Sequence, residues 1–66
     1  MQVTVNGANH DIMPSAKLAQ LLEELSLGSG RIAVEVNGEI IPRSSFETFG
    51  LSEGDNIGIV QAIGGG

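Results

Sequence analysis

Few residues in this chain could do chemistry, and most of those are poorly placed for it. There is one histidine, His10, there are no cysteines, and eight carboxylates stand against three cations, Lys17, Arg31 and Arg43. Without thiolates the chain cannot build a disulfide framework, a thiolate metal site, an iron–sulfur cluster or a cysteine nucleophile. His10 falls in an alternating stretch and reads as an ordinary strand residue. Glu23 and Glu24 are neighbours in a helical segment, where adjacent positions do not share a face, so they do not form a catalytic pair. Glu35, Glu39, Glu47, Glu53 and Asp55 are scattered along the chain and read as solvated charges. No phosphate-binding glycine loop and no metal-ligand spacing occurs, so neither a catalytic residue set nor a metal site is expected. What remains is the run Gly64-Gly65-Gly66. A carboxylate at Gly66, carried on an arm without side chains, could enter a narrow channel in another protein and adopt conformations closed to other residues. A frayed chain end fits the same glycines equally well, and the glycines alone do not choose between the two.

The elements that must position such an arm are legible from period and turn chemistry. Gln2 to Asn6 alternate, with Val3 and Val5 on one face, and Asn6-Gly7 then predicts a two-residue hairpin returning as a strand over residues 8–13. In that strand His10 and Ile12 share a face, and Met13 reads as core filler. After Pro14, Ser15 is placed to cap a helix in which Leu18, Leu21, Leu22 and Leu25 recur at helical spacing, with Gly28 as its left-handed stop. Ile32 to Val36 alternate again and meet a second hairpin signal at Asn37-Gly38, followed by Glu39-Ile40-Ile41 and a stop at Pro42. Phe46, Phe49 and Leu51 should pin the next loop or short helical turn to the core, and Ser52-Glu53-Gly54-Asp55 is a turn by composition. Asn56 to Ile63 are nearly continuously apolar, which predicts a strand covered on both sides. The order is two hairpins around one amphipathic helix and then a last strand. It predicts an α+β fold of the β-grasp pattern, with a single mixed sheet of about five strands and the helix across one face. The last strand should lie centrally, beside the first and parallel to it. The expected division is a domain over residues 1–63 and a flexible tail over 64–66.

Composition narrows the partners. A chain of 66 residues makes one domain, and 41% hydrophobic against 17% charged residues favours collapse over disorder. The net charge of -5 would repel a nucleic acid backbone, so no nucleic acid partner is expected, and the charge would steer the chain toward a basic docking surface. Met1 to Asn6 lack the features of a secretion signal, and no run of ~18 apolar residues occurs. A cytoplasmic protein with no membrane partner is the expectation.

Over essentially its whole length the chain resembles the sulfur carrier family of thiamine biosynthesis (ThiS), which is ubiquitin-like. The resemblance rests on Met1-Gln2-Val3-Thr4-Val5-Asn6, Leu21-Leu22-Glu23-Glu24-Leu25, Val36-Asn37-Gly38-Glu39-Ile40-Ile41-Pro42-Arg43, Leu51-Ser52-Glu53-Gly54-Asp55 and the terminal Gly65-Gly66. Gly64 departs from it, since many members carry a larger small residue such as alanine there. The resemblance implies a carrier and co-substrate instead of an enzyme, binding no cofactor itself. An activating enzyme would use ATP to adenylate the Gly66 carboxylate, a persulfide from a sulfur-donor protein would displace AMP to leave a thiocarboxylate, and a thiazole synthase would receive the sulfur. Carriers for molybdopterin synthesis or tRNA thiolation share this fold and tail chemistry, and a noncovalent β-grasp interaction module is an alternative of a different class.

Strand parity places a docking surface. If Ile57 and Ile59 face the helix, Val60 and Ala62 point to the other side of the sheet, with Thr4, Ala33 and Glu35. This face is expected to bind the activating enzyme while Gly64, Gly65 and Gly66 enter its active site. Arg43, next to Pro42, is a candidate aid to docking.

Overall fold

The protein is described by a computed structural model over residues 1–27 and 30–61. Strands β1 (Gln2–Val5) and β2 (Ala8–Asp11) precede helix α1 (Leu18–Glu24), and β3 (Ile32–Val36) and β4 (Glu39–Ile41) precede a 3-10 turn at Arg43–Ser45 and the last strand, β5 (Asn56–Gln61). They form one five-stranded sheet in the order β2-β1-β5-β3-β4. The last strand is central, parallel to β1 through Thr4↔Asn56 and Val5↔Ile57 and antiparallel to β3 from Ile32↔Gln61 to Val36↔Ile57. Both hairpins turn as their Asn-Gly pairs dictate: Asn6 and Gly7 have φ of 50° and 85°, and Asn37 and Gly38 have 52° and 85°. Two consecutive positive φ values define the turn whose twist matches the flanking strands.

The core lies between α1 and one face of the sheet. Leu18, Leu21 and Leu22 are buried against Val3, Val5, Val34, Val36, Ile57 and Ile59, and Ile12, Ala16, Ile41, Phe46 and Leu51 complete the cluster. Leu25 sits at the C-cap of α1 instead of inside it and is half-buried, so three of the four periodic leucines carry the fully buried face.

Four local expectations are corrected. Strand β2 ends at Asp11, short of residue 13, and Met13 is 69% exposed, so it does not fill the core. The Ile12 amide still donates to Met1 O at 2.8 Å, but the chain then leaves the sheet ahead of Pro14, and Ala16 takes the buried position. Ser15 does not cap the helix. Leu51 N–H donates to Ala16 O at 3.0 Å and Leu18 N–H to Phe49 O at 2.9 Å, which holds residues 16 and 17 extended and makes Lys17 the N-cap. The Lys17 amide there is satisfied by Gln20 Oε1 at 2.7 Å. At the other end, Ser26 takes the left-handed position (φ 60°), donating to Glu23 O at 3.0 Å while Leu27 N–H reaches Leu22 O at 2.7 Å. These two bonds close a Schellman motif and stop the helix before Gly28, which lies outside the described residues. Finally, β5 is paired on both edges but covered on one face only, because α1 is the sole helix among the described residues: Val60 is 68% exposed. The expected boundary between body and tail at residues 63 and 64 also lies outside the described residues.

Leu22 is 1% exposed at the centre of the α1 face. Leu22→Ala is expected to lose about 2–5 kcal/mol by leaving a cavity that the small core cannot collapse around. Chemical denaturation reads this directly, and a melt matching the wild type would place the buried helix face elsewhere.

Candidate functional site

The site is the uncovered sheet face together with the C-terminal end of β5. Parity along β5 buries Ile57 and Ile59 toward α1 and turns Gly58 and Val60 outward. Across the antiparallel pairing, Ala33 stands opposite Val60 and Glu35 opposite Gly58, and on the next strand Ile40 stands opposite Glu35. Val60 and Ile40, at 68% and 66% exposure, are two of the three large apolar side chains that the described fold leaves to solvent. Asn6, Ala33, Glu35, Ile40, Gly58 and Val60 line one shallow groove between them.

Of the expected face residues, the structure brings Val60, Ala33 and Glu35 together. Thr4 is on β1 opposite Asn56, at the far end of β5, where its hydroxyl bonds to Asn56 Oδ1 at 2.9 Å, and it does not line the groove. Ala62, Gly64, Gly65 and Gly66 lie outside the described residues. The sequence reading missed Ile40 and Gly58. Counting outward from the Asn37-Gly38 turn would have placed Ile40 against Glu35, and the gap in the apolar run at Gly58 was the other available signal. A Cβ at Gly58 would stand 3.0 Å from Glu35 Cγ and Oε1, so the missing side chain is what lets the Glu35 stem lie flat across the strand.

The end of β5 is held in a specific way. Asn6 N–H donates to Ile57 O at 2.9 Å, after which the β1 main chain turns away. The Asn6 side chain continues the ladder in its place: Oδ1 accepts from Ile59 N–H at 2.8 Å and Nδ2 donates to Ile59 O at 3.1 Å. With β3 paired to Gln61 on the opposite edge, β5 is tied down on at least one edge through its last described residue. Among the described residues no cluster of three or more His, Cys, Asp or Glu could hold a metal ion, and no helix is long and apolar enough to cross a membrane.

One helix across a five-stranded mixed sheet, with a parallel central pair and an open apolar face, defines a protein of the ubiquitin-like β-grasp class. The model of the ThiS family matches residues 3–66. The crystal structure of a thiamine biosynthesis protein (ThiS) from Geobacter metallireducens superposes with a TM-score of 0.84 at 30% identity, covering all of both chains. A solution structure of a thiamine biosynthesis protein from the same organism gives 0.79 at 32%, covering all of this chain and 88% of that one. The whole chain is also 39% identical to part of a thiazole synthase of Paramagnetospirillum magneticum, of which it spans 20% of the length, and 29% identical to an uncharacterized protein, ycf40, of Porphyra purpurea, of which it spans 93%. The chain belongs to the ThiS family.

Because Val60 contributes little to the core, Val60→Asp is expected to keep the fold and lose about 1 kcal/mol or less, the cost of a poor strand former at an exposed site. A loss in urea denaturation as large as that of a core truncation would mean that this face is covered.

Proposed function

We propose that the chain carries sulfur for thiazole formation in thiamine biosynthesis, with the Gly66 carboxylate as the group that is loaded. The observation that carries the reading is the family match running through residue 66, which takes in Gly65 and Gly66. The similarity of the whole chain to part of a thiazole synthase supports that enzyme as the acceptor, since there the two kinds of sequence belong to one polypeptide.

The chemistry follows from the weakness of a carboxylate as an electrophile. A Gly66 carboxylate oxygen attacks the α-phosphorus of ATP in the activating enzyme and pyrophosphate leaves, giving an acyl adenylate with AMP as leaving group. The terminal sulfur of a donor persulfide then attacks the acyl carbon, AMP departs, and cleavage of the resulting acyl disulfide by a thiol leaves the thiocarboxylate. Nothing in these steps asks for a side chain of this protein, which is in keeping with its lack of cysteine and its single histidine. Its own contributions are a rigid body, a tail free of side chains and a face that docks. The proposed face is Val60, Ala33 and Glu35 with Ile40, joined by Ala62 ahead of the tail; Thr4 extends the same face toward its far end. An apolar patch with one carboxylate in its middle binds a complementary surface while setting its register.

A bacterial strain that lacks its sulfur carrier and needs added thiamine provides the test. The wild-type chain is expected to restore growth without thiamine, deletion of Gly65 and Gly66 to abolish rescue, and Val60→Asp to weaken it while the protein still accumulates. Rescue by the chain lacking both glycines would contradict the reading and favour a noncovalent interaction module.

A further inference from the structure

The charges of this chain are segregated along the sheet in a way its net charge of -5 conceals. Parallel pairing with β1 and antiparallel pairing with β3 put the C-terminal end of β5 beside the start of β3, where Ile32 is opposite Gln61. Arg31 immediately precedes that residue and so flanks the C-terminal end of β5. Strand β4 runs antiparallel to β3, which brings Arg43 to the same end. There Arg43 Nη2 donates to the carbonyl of Gly30, and its guanidinium lies 5.8 Å from the centroid of the Phe46 ring. Arg31 and Arg43 line one groove with Ile32, Ala33 and Val60, so two of the three cations of the chain border the apolar docking patch at the root of the tail.

The opposite end of the sheet is acidic. Asp11 closes β2 beside Met1, Glu39 opens β4, and Glu53 and Asp55 precede β5. Of the remaining acids, Glu23 and Glu47 share a groove with Arg43 on the helix side, Glu24 lines a neighbouring groove with Glu23, and Glu35 lies in the middle of the open face. The only ion pair among the described residues is Met1 with Asp11, so neither guanidinium is paired with a described carboxylate. Arg43 is also held by a carbonyl and a ring, which fixes its position without consuming its charge. Lys17, the third cation, is the N-cap of α1, bridged to Gly50, and does not line the groove of Arg31, Arg43 and Val60.

We propose that Arg31 and Arg43 form a cationic collar that docks on a carboxylate-bearing rim around the channel of the enzyme that receives the tail. This rests on the carrier reading. For a tail of a few residues to enter a channel, the surface around the channel mouth must meet whatever surrounds the root of the tail, and here that is two guanidiniums and Val60. The attraction is local and opposite in sign to the net charge of the chain, so it selects how the carrier is oriented at the channel mouth as well as holding it there.

The test is steady-state adenylation by an activating enzyme that turns over the wild-type chain, comparing Arg31→Glu, Arg43→Glu and the double variant with Lys17→Glu, which matches the charge change of each single variant. The double variant is expected to raise KM for the carrier about tenfold or more with kcat little changed, and the difference to shrink as salt is added. Lys17→Glu is expected to leave KM near the wild-type value. Arg43→Glu also removes the Phe46 and Gly30 contacts, so Arg31→Glu, which disturbs no described contact, carries the decision if the other variants melt early. A KM for Arg31→Glu equal to that of Lys17→Glu, with normal wild-type turnover, overturns the collar and leaves the carrier reading intact. Failure of the wild-type chain to be adenylated by enzymes that activate other ThiS family carriers overturns both.

Discussion

The central position of β5 is the constraint on which the rest of this structure depends. A strand at the middle of a sheet has both rows of backbone hydrogen bonds available for pairing, and β5 uses one row on β1 and the other on β3. Its two inward side chains, Ile57 at 0% and Ile59 at 7% exposure, meet the leucines of α1 and lock the register. Slipping by one residue would exchange them for Gly58 and Val60, so burial on one face alone specifies the pairing. Asn6 extends that hold along β5 past the point where β1 turns away, as far as Ile59.

The same arrangement creates the exposed face. In so small a chain a single helix covers one side of the sheet, and the other side carries whatever parity delivers to it. Evolution could fill that side with polar residues at little cost, yet Val60 and Ile40 stand there with only Glu35 and the small Ala33 and Gly58 between them. Exposed apolar area at the C-terminal end of β5, bordered by guanidiniums that no described carboxylate pairs, is what a transient docking surface requires. Fold and proposed function thus meet in β5, whose inner residues hold the body together and whose outer residues belong to the proposed docking face.

Much of this was legible in the sequence because the decisive signals were local and strong. Asn-Gly at two places fixes both hairpins, the leucine spacing fixes the helix, and six inward-facing positions of Val and Ile on β1, β3 and β5 follow by parity. The helix ends were not legible, since each depends on a distant or subtle partner. Lys17 became the N-cap because Phe49 and Leu51 hold residues 16 and 17 extended, and Ser26 took the left-handed position that a glycine two residues later seemed made for. Met13 looked apolar enough to be buried, but the turn before the helix gave the buried place to Ala16. In the site, Val60, Ala33 and Glu35 were found by parity alone, whereas Ile40 was hidden in an Ile-Ile pair in which one member faces inward. The pairing of Arg31 with Arg43 was invisible, because only the sheet order brings two residues so far apart in sequence to the same strand end.

The central claim is that sulfur is carried at Gly66. Intact mass spectrometry of the purified chain after incubation with ATP, an activating enzyme and a persulfide donor tests it most directly. The account predicts a mass gain equal to the replacement of one oxygen by sulfur, located by fragmentation at Gly66 and lost when that residue is deleted. An unchanged mass, with an enzyme shown to be active on its own carrier, would contradict it.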